Sequence, residues 1–236
     1  IGFICKTTLP CLEQVREPLA RKDDHRQRGM ITICLPTYQP KIDLFKIQLD
    51  SLVHQTQENW RCIVCDDASD DHVVSEMRIL CARDKRFQLI LHSKNVGFYK
   101  NFERALSYVN SDTDYIALCD QDDYWYPEKL TRLTNAFTQG TALVYSDMRL
   151  VDGQGTTIAN TYWTGRKNNY TNLRVLMAAN TITGAACLFG KNLLDTILPF
   201  PNRVSDAYHD HWIAMVAFMT GPIRYKIGRA SCRERV

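Results

Sequence analysis

The sequence contains no long hydrophobic run. Its longest apolar stretch, residues 212–219, is far shorter than the roughly 20 residues that cross a lipid bilayer. The composition, with 45% hydrophobic and 23% charged residues, is typical of a globular protein. We therefore expect a folded domain without a membrane-spanning helix, and we expect any contact with a membrane to be peripheral.

Two common phosphate-binding loops are also absent. No G-x-G-x-x-G follows the first predicted strand, and G-x-x-x-x-G-K-[ST] occurs nowhere in the chain. These absences exclude the usual dinucleotide-binding loop and the P-loop. A phosphate ligand would have to be held in another way, and a metal ion bound by carboxylates is the first candidate.

Clustered basic charge is absent from most of the chain. The net charge of +3 comes from the two ends, because residues 1–29 and residues 227–236 each carry +2, which leaves −1 for residues 30–226. An interface with nucleic acid requires a basic face. We therefore expect no nucleic-acid partner.

Both ends of the chain look foreign to the domain. Residues 227–236 (IGRASCRERV) resemble the translation of a common sequencing adapter, and residues 1–29 precede the first methionine without clear hydrophobic periodicity. Segments of foreign origin are left out of fold prediction. We expect residues 1–29 to be a non-native or flexible extension, residues 30–226 to be a domain truncated at its C-terminal end, and residues 227–236 to derive from the adapter.

Cysteines with the spacing of a metal or redox site are scarce. Of the nine cysteines, only Cys62 and Cys65 form a C-x-x-C pair within residues 30–226. They fall in a predicted strand, where side chains three positions apart face opposite sides. We expect buried free thiols rather than a zinc or redox site.

Short apolar runs alternate with helical patterns along the chain. This alternation predicts an α/β fold with a mostly parallel central sheet and helices on both faces. The predicted strands cover residues 31–35, 61–65, 87–91, 115–119 and 142–145, and a small-residue stretch at 181–189 enters a further strand. The predicted helices cover residues 41–54, 71–83, 98–109, 127–137 and 206–219, and residues 148–158 form a predicted β-hairpin.

Three carboxylates follow the fourth predicted strand, at Asp120, Asp122 and Asp123. On an extended chain the first two point the same way, and carboxylates this close repel one another unless a cation holds them. Oxygen ligands of this kind suit Mg²⁺ or Mn²⁺, often together with phosphate. Because ligands bind beyond the carboxyl ends of parallel strands, the pattern predicts a metal–phosphate site. The alternative is an acidic turn that caps the helix opened by Pro127.

Seven motifs occur in the order found in one family of enzymes. They are LPTY (35–38), SLxxQT (51–56), VCDDASD (64–70), NVG (95–97), DQDD (120–123), TGA (183–185) and HDHW (209–212). Together they resemble family 2 glycosyltransferases of the GT-A fold, and among these the rhamnosyltransferase-like branch that builds O-antigen and other bacterial surface polysaccharides. The resemblance covers about residues 30–226.

The resemblance implies a metal-dependent, inverting transfer of a sugar from a nucleotide diphosphate donor to an acceptor hydroxyl. The metal would be Mn²⁺ or Mg²⁺, and the acceptor would be a saccharide or a lipid-linked molecule. The leading donor is dTDP-rhamnose, with a UDP-hexose as the alternative. The implied location is the cytoplasm, with peripheral association at the inner face of the cell membrane.

The same resemblance implies roles for individual residues. The catalytic base would be Asp210, and the metal would be held by Asp122, with Asp120 and Asp123 as further ligands. The donor nucleotide would contact Pro36, Thr37, Tyr38, Asp66, Asp67, Ser69, Asn95, Gly97 and Asp120. The acceptor would contact Thr183, Gly184, His209 and Trp212. The family often has Glu-Asp where this chain has His-Asp, which leaves the base in place and the role of the histidine undefined.

Other interpretations of these residues stay open. Asp210 also suits a helix N-terminus, where the helix dipole favours negative charge, and residues 66–71 also suit a polar turn. A nucleotidyltransferase would use a metal and an α/β sheet, but residues 36–40 (PTYQP) are not the basic, glycine-rich loop that it would need. A binding module for nucleotide sugars without catalysis, or an inactive fragment, is the alternative from another class.

Overall fold

The computed structural model describes residues 29–152, 155–163, 170–202 and 208–234, with side chains as far as Lys226. The strands are β1 (Ile31–Thr37), β2 (Trp60–Asp66), β3 (Phe87–Leu91), β4 (Tyr115–Leu118), β5 (Asp123–Trp125), β6 (Leu143–Val151), β7 (Thr157–Ala159), β8 (Cys187–Gly190) and β9 (Ile223–Glu234). The helices are α1 (Ile42–Val53), α2 (Asp71–Cys81), α3 (Phe98–Ser107), α4 (Lys129–Ala136), α5 (Leu173–Ala178), α6 (Leu194–Ile197) and α7 (His209–Thr220).

One sheet runs through the described part of the chain, in the order β3-β2-β1-β4-β8-β6-β9-β5, with β7 paired to β6. Strands β3, β2, β1 and β4 are parallel, whereas β8 is antiparallel to both β4 and β6. The α/β fold with a parallel central sheet is therefore confirmed. Because β1 to β4 are parallel, their carboxyl ends lie at one edge of the sheet. The predicted motifs of the first half of the chain lie at or near these ends.

The helices cover both faces of this sheet. On one face Phe45 of α1, Met77 of α2 and Leu130 of α4 pack in one apolar cluster. On the other face Phe102 of α3 and Ile213 of α7 pack in a second cluster. Every residue of β1 is buried, because a strand covered on both faces has no solvent side, and this explains its unbroken apolar run.

The two cysteines of the C-x-x-C pair lie on opposite faces of the sheet, as predicted. Cys62 packs with α1 and α2, whereas Cys65 packs with α3 and α7. Both are free and buried. Burial raises the pKa of the Cys62 thiol well above its usual value and that of Cys65 to about 12. These thiols are packing residues.

The second half of the chain differs most from expectation. The predicted strand 142–145 extends to Val151 as β6 because β9 and β7 pair along it, and the predicted hairpin is present as β6–β7, with residues 153–154 outside the described part. β9 was not predicted, and it runs into residues 227–234. The adapter origin of residues 227–236 stays a prediction. None of the described helices is long and apolar enough to cross a membrane.

Candidate functional site

The loop after β2 is held together by Asp66. Its buried carboxylate accepts hydrogen bonds from Thr37 Oγ1 (3.2 Å) and from both the backbone N–H (2.9 Å) and the hydroxyl (2.6 Å) of Ser69. Ser69 Oγ in turn accepts from the backbone N–H of Gln39 at 2.8 Å. Asp66 and Ser69 therefore fix the ends of β1 and β2 relative to each other. Contact of Asp66 with a nucleotide stays a prediction.

Asp67 connects the same loop to the start of α3. Its buried carboxylate accepts from the backbone N–H groups of Val96 (3.0 Å) and Gly97 (2.8 Å) and from the Arg104 guanidinium (3.0 Å). Arg104 supplies the counter-charge that a buried carboxylate requires. Asn95 Oδ1 also accepts from the Gly97 N–H, at 3.0 Å, and Gly97 has a positive φ of 82°. Three of the residues predicted to contact the donor nucleotide, Asp67, Asn95 and Gly97, thus lie together.

Two positioning side chains were missed by the sequence analysis. The buried Asn101 amide donates to the backbone carbonyls of Thr37 (3.2 Å) and Cys65 (2.9 Å), which joins the ends of β1 and β2. Gln121 accepts from the Tyr38 N–H (2.9 Å) and donates to the Tyr38 carbonyl (3.3 Å). The sequence offered only weak signals for these two residues: Gln121 lies within the DQDD motif, and Asn101 is an amide on the apolar face of α3.

The acid loop, residues 120–123, follows β4 at the same edge of the sheet. Asp120 and Asp122 are partly exposed, whereas Asp123 begins β5 and is only 2% exposed. Gln121 between them bonds the Tyr38 backbone, so Tyr38, which is 50% exposed, is attached to the acid loop. Pro36 lies within β1, buried like the rest of the strand.

The fit of a metal ion to the acid loop is partial. Among the described residues no group of three or more His, Cys, Asp or Glu side chains could hold a metal by itself. Mg²⁺, however, is usually bound by one or two carboxylates plus substrate phosphates, and the partly exposed Asp120 and Asp122 match that requirement. Direct ligation by Asp123 has less support because that side chain is buried. Metal binding stays a prediction.

Asp210 lies next to this loop. It is in the first turn of α7, and its Oδ2 accepts from the backbone N–H of Gly184 at 3.1 Å. A Cβ added at Gly184 would lie 3.3 Å from the Asp210 Cβ and 3.5 Å from Leu118 Cδ1. Leu118 is the last residue of β4, two positions before Asp120. Gly184 therefore lies between the predicted base and the end of the strand that leads into the predicted metal loop.

The predicted acceptor residues divide into two groups. Thr183 and Gly184 lie beside Asp210, and His209 is buried and stacks on Phe102 with ring centroids 3.5 Å apart. Trp212 is two residues beyond Asp210, about 200° around a helix of 3.6 residues per turn, and its indole donates to the Ile197 carbonyl at 2.9 Å. Contact of Trp212 with an acceptor thus has no support in the geometry.

A different tryptophan lies near the site. The Trp163 indole donates to Thr183 Oγ1 at 3.1 Å, and its ring packs edge-on against Tyr162, with centroids 4.8 Å apart. The backbone N–H of Tyr162 donates to Asp147 Oδ1 at 3.1 Å. The sequence analysis missed Trp163 because it follows a hairpin whose place over Thr183 depends on tertiary packing.

The electrostatics beneath the acid loop centre on Lys129, another residue that sequence analysis missed. Its ammonium is fully buried, and burial lowers its pKa to about 7, while the nearby Cys119, Asp123, Cys187 and Asp120 act in the opposite direction. Burial also raises the pKa of the Cys119 thiol. Lys129 thus lies within electrostatic range of the acid loop, whose carboxylates favour its charged form.

A family model described as Glycosyl transferase family 2 matches residues 32–198. The chain belongs to this family. The match covers most of the chain and includes the loop after β2, the acid loop and Gly184, whereas Asp210 lies beyond it. Membership in glycosyltransferase family 2, which the motif order predicted, is therefore confirmed, and its rhamnosyltransferase-like branch stays a prediction.

Two bacterial relatives of this family 2 chain are named for succinoglycan biosynthesis and for glucosyl transfer. The succinoglycan biosynthesis protein ExoW of Rhizobium meliloti (strain 1021) is 27% identical over 115 residues, which are 49% of this chain and 36% of that protein. The Escherichia coli UDP-Glc:alpha-D-GlcNAc-diphosphoundecaprenol beta-1,3-glucosyltransferase WfgD is 30% identical over 101 residues, 43% of this chain and 38% of that protein. The chain spans little more than a third of each relative.

Solved structures share the fold at low identity. TarS 1-349 of S. aureus in complex with UDP-GlcNAc has a TM-score of 0.67 and 18% identity, over 88% of this chain and 59% of that one. The mannosyltransferase PcManGT from Pyrobaculum calidifontis, in complex with GDP-Man and Mn²⁺, has a TM-score of 0.64 and 18% identity, over 92% and 60%. The GT-A type of fold is thereby confirmed.

Proposed function

We propose that this chain is the catalytic domain of an inverting glycosyltransferase. It moves a sugar from a nucleotide diphosphate donor to a saccharide or lipid-linked acceptor in bacterial surface polysaccharide synthesis. The observation that carries the proposal is the position of Gly184 between Asp210 and the end of β4. The Asp210 carboxylate accepts the Gly184 N–H, and a Cβ added at Gly184 would lie 3.3 Å from Asp210 Cβ and 3.5 Å from Cδ1 of Leu118, the last residue of β4. The relatives named for polysaccharide synthesis support it.

Asp210 has the role of general base in this proposal. The carboxylate is oriented by the Gly184 N–H, and it takes the proton of the acceptor hydroxyl, which lies within hydrogen-bond reach when the acceptor is bound. The hydroxyl oxygen bonds to the anomeric carbon while the bond from that carbon to the diphosphate breaks, and the electron pair leaves with the diphosphate. Attack opposite the leaving group inverts the configuration.

The donor occupies the edge formed by β1, β2 and β4. Thr37, Tyr38 and Asp67 line its nucleotide side, and the contacts of Gln121 and Asn101 keep these loops in register. Asp120 and Asp122 would hold Mn²⁺ or Mg²⁺, which supplies positive charge to the leaving diphosphate.

The donor sugar divides the proposal into two variants. The order of the motifs favours dTDP-rhamnose, whereas a UDP-hexose is favoured by the Escherichia coli relative, whose name specifies UDP-Glc. The solved structures with UDP-GlcNAc and GDP-Man extend the range of donors worth testing. A lipid-linked acceptor would bring the protein to the inner face of the cell membrane as a peripheral protein.

The first experiment measures donor binding. The melting temperature is recorded with UDP, dTDP and GDP, each with and without Mn²⁺, for the wild-type chain and for Asp122→Asn. A ligand that binds only the folded state raises the melting temperature, so we expect a metal-dependent rise with one nucleotide that the variant loses. No rise with any nucleotide would contradict the proposed donor site.

The second experiment separates catalysis from binding. Release of nucleoside diphosphate from dTDP-rhamnose, UDP-glucose, UDP-GlcNAc and GDP-mannose is compared for wild type, Asp210→Asn and Asp195→Asn. Asp195 is a matched control because it is exposed in the first turn of α6, so its loss tests the helix-dipole role alone. We expect only Asp210→Asn to lose turnover by about 10²-fold or more. Binding without turnover in the wild type would favour the non-catalytic module.

A further inference from the structure

Lys129 is a buried lysine in a place where the proposed reaction does not use one. It is the first residue of α4 and has 0% exposure, and among the residues with described side chains it is the only lysine or arginine that is buried. Lysine is almost never fully buried unless its ammonium has partners. The partners of Lys129 therefore indicate what the side chain does.

The ammonium has partners from separate parts of the chain. It donates a hydrogen bond to the backbone carbonyl of Ala185, and it lies over the Trp125 ring, 3.3 Å from the centroid. A desolvated cation above an aromatic face is a favourable contact. The carboxylates of Asp123 and Asp120 in the acid loop favour the charged form of Lys129. One side chain thus links the region of the acid loop to the turn at Gly184–Ala186.

That turn carries the proposed base. Gly184 donates its N–H to Asp210, and Ala185, the next residue, accepts from Lys129. The turn is a single 3-10 turn of three residues, so a shift of the Ala185 carbonyl also moves the neighbouring Gly184 N–H. Lys129 is therefore one residue away from the group that orients Asp210, although it does not touch Asp210 itself.

We propose that Lys129 is a positioning residue for sugar transfer, which sets the place of Asp210 relative to the acid loop through the Ala185 carbonyl. The inference rests on the proposed glycosyltransferase function. Its side-chain nitrogen is the internal hydrogen-bond donor that connects α4 and Trp125 to the turn at Gly184–Ala186. No proton transfer by Lys129 is involved.

The test variant is Lys129→Met, which keeps a long, unbranched side chain and removes both the charge and the hydrogen-bond donor. A displacement of about 1 Å at a catalytic group lowers rates by about 10²-fold. We expect kcat for nucleoside diphosphate release to fall by about 10- to 100-fold while the donor KM stays within about twofold. If Lys129→Met does not fold, Lys129→Gln, which keeps an N–H donor without the charge, takes its place.

A double-mutant cycle with Asp210→Asn distinguishes positioning from general support of the fold. If Lys129 acts through the base, Lys129→Met lowers the residual kcat of Asp210→Asn by less than about twofold, because correct placement no longer matters. A fall of equal size in both backgrounds would overturn the proposal. Absence of turnover with every donor in the wild type would instead count against the proposed function itself, and the inference would fall with it.

A second readout does not depend on activity or on a bound metal. Amide hydrogen exchange is compared between wild type and Lys129→Met in the ligand-free protein. We expect faster exchange in a peptide covering residues 183–187, where Gly184 and Ala185 lie, and unchanged exchange in residues 66–69, which Asp66 holds independently. Unchanged exchange in residues 183–187 would overturn the proposal.

Discussion

Gly184 offers the sharpest single test of the site, because its missing side chain is what lets three parts of the chain meet. An alanine Cβ at this position would lie 2.8 Å from His209 Nε2 and 3.3 Å from the Asp210 Cβ. The first distance is too short for any stable contact, so a neighbour has to move. His209 cannot move freely because its ring is stacked on Phe102.

The size of the effect of Gly184→Ala follows from this packing. Overpacking of a well-filled core costs about 1–3 kcal/mol in the free energy of unfolding. A displacement of Asp210 by about 1 Å lowers kcat by about 10²-fold. We therefore expect a modest loss of stability and a large loss of turnover. Because the closest clash is with His209, His209→Ala should cost less stability in the Gly184→Ala background than in the wild type.

The assay needs a control that loses stability without disturbing the site. Gly140→Ala is suitable because Gly140 has a φ of 81° and open space around its Cβ position, so alanine adds only backbone strain of about 1–2 kcal/mol. Urea unfolding and nucleoside diphosphate release are measured for both variants. We expect the two variants to lose similar amounts of stability. Only Gly184→Ala should also lose kcat. Full turnover by Gly184→Ala would refute the placement of Asp210 by this turn.

Two further changes test other contacts. Gln121→Ala removes both hydrogen bonds to the Tyr38 backbone, so we expect weaker binding of nucleoside diphosphate, by about 10-fold if the two bonds together contribute about 1.4 kcal/mol; unchanged affinity in titration calorimetry would contradict this. The hydrogen bond from Arg86 holds the pKa of Asp84 below its usual value, so this carboxylate stabilises the fold above its unfolded pKa, and the gain is lost as the pH falls through the lower folded pKa. Asp84→Asn should therefore lower stability at pH 7 by under about 1 kcal/mol, as is usual for a partly exposed pair, and leave it unchanged in strong acid; an equal loss at both pH values would refute the assignment.

The parallel half of the fold was predictable because its signals are local. The β3 strand occurs at the predicted residues, and β1 and β2 lie within two residues of the prediction at each end, since continuous apolar runs between turn residues determine a strand buried on both faces. The order of the motifs also identified the family. The strand β9 and the long extension of β6 were not predictable, because each exists only through pairing with a distant partner.

The parallel order of β1, β2 and β4 brings the residues of the predicted site to one edge of the sheet, whereas no sequence pattern reveals a side chain that acts through another residue. Asn101 and Gln121 bond only backbone groups, so no motif chemistry marks them in the sequence. Trp212 was predicted to contact the acceptor because it is close to Asp210 in sequence, whereas Trp163, which contacts Thr183, was not predicted. On a helix, however, a residue two positions away faces the other side.

The acidic residues of the motifs fall into two groups, one buried and one partly exposed, and we assign a different role to each group. Asp66, Asp67 and Asp123 are almost completely buried, and the first two have their hydrogen bonds within the loops that they hold. Asp120, Asp122 and Asp210 are partly exposed at the same edge. A carboxylate that reacts with a substrate must be accessible to it. A carboxylate that fixes a loop forms stronger hydrogen bonds when it is buried, because water then does not compete for them.

This division also explains why the site combines six acids with so few cations. The partly buried Arg104 pairs with the buried Asp67, and the nearby Asp123 favours the charged form of the buried Lys129. Asp120, Asp122 and Asp210, in contrast, are partly exposed at the edge of the sheet where the proposed reaction needs a base and a cation-binding group.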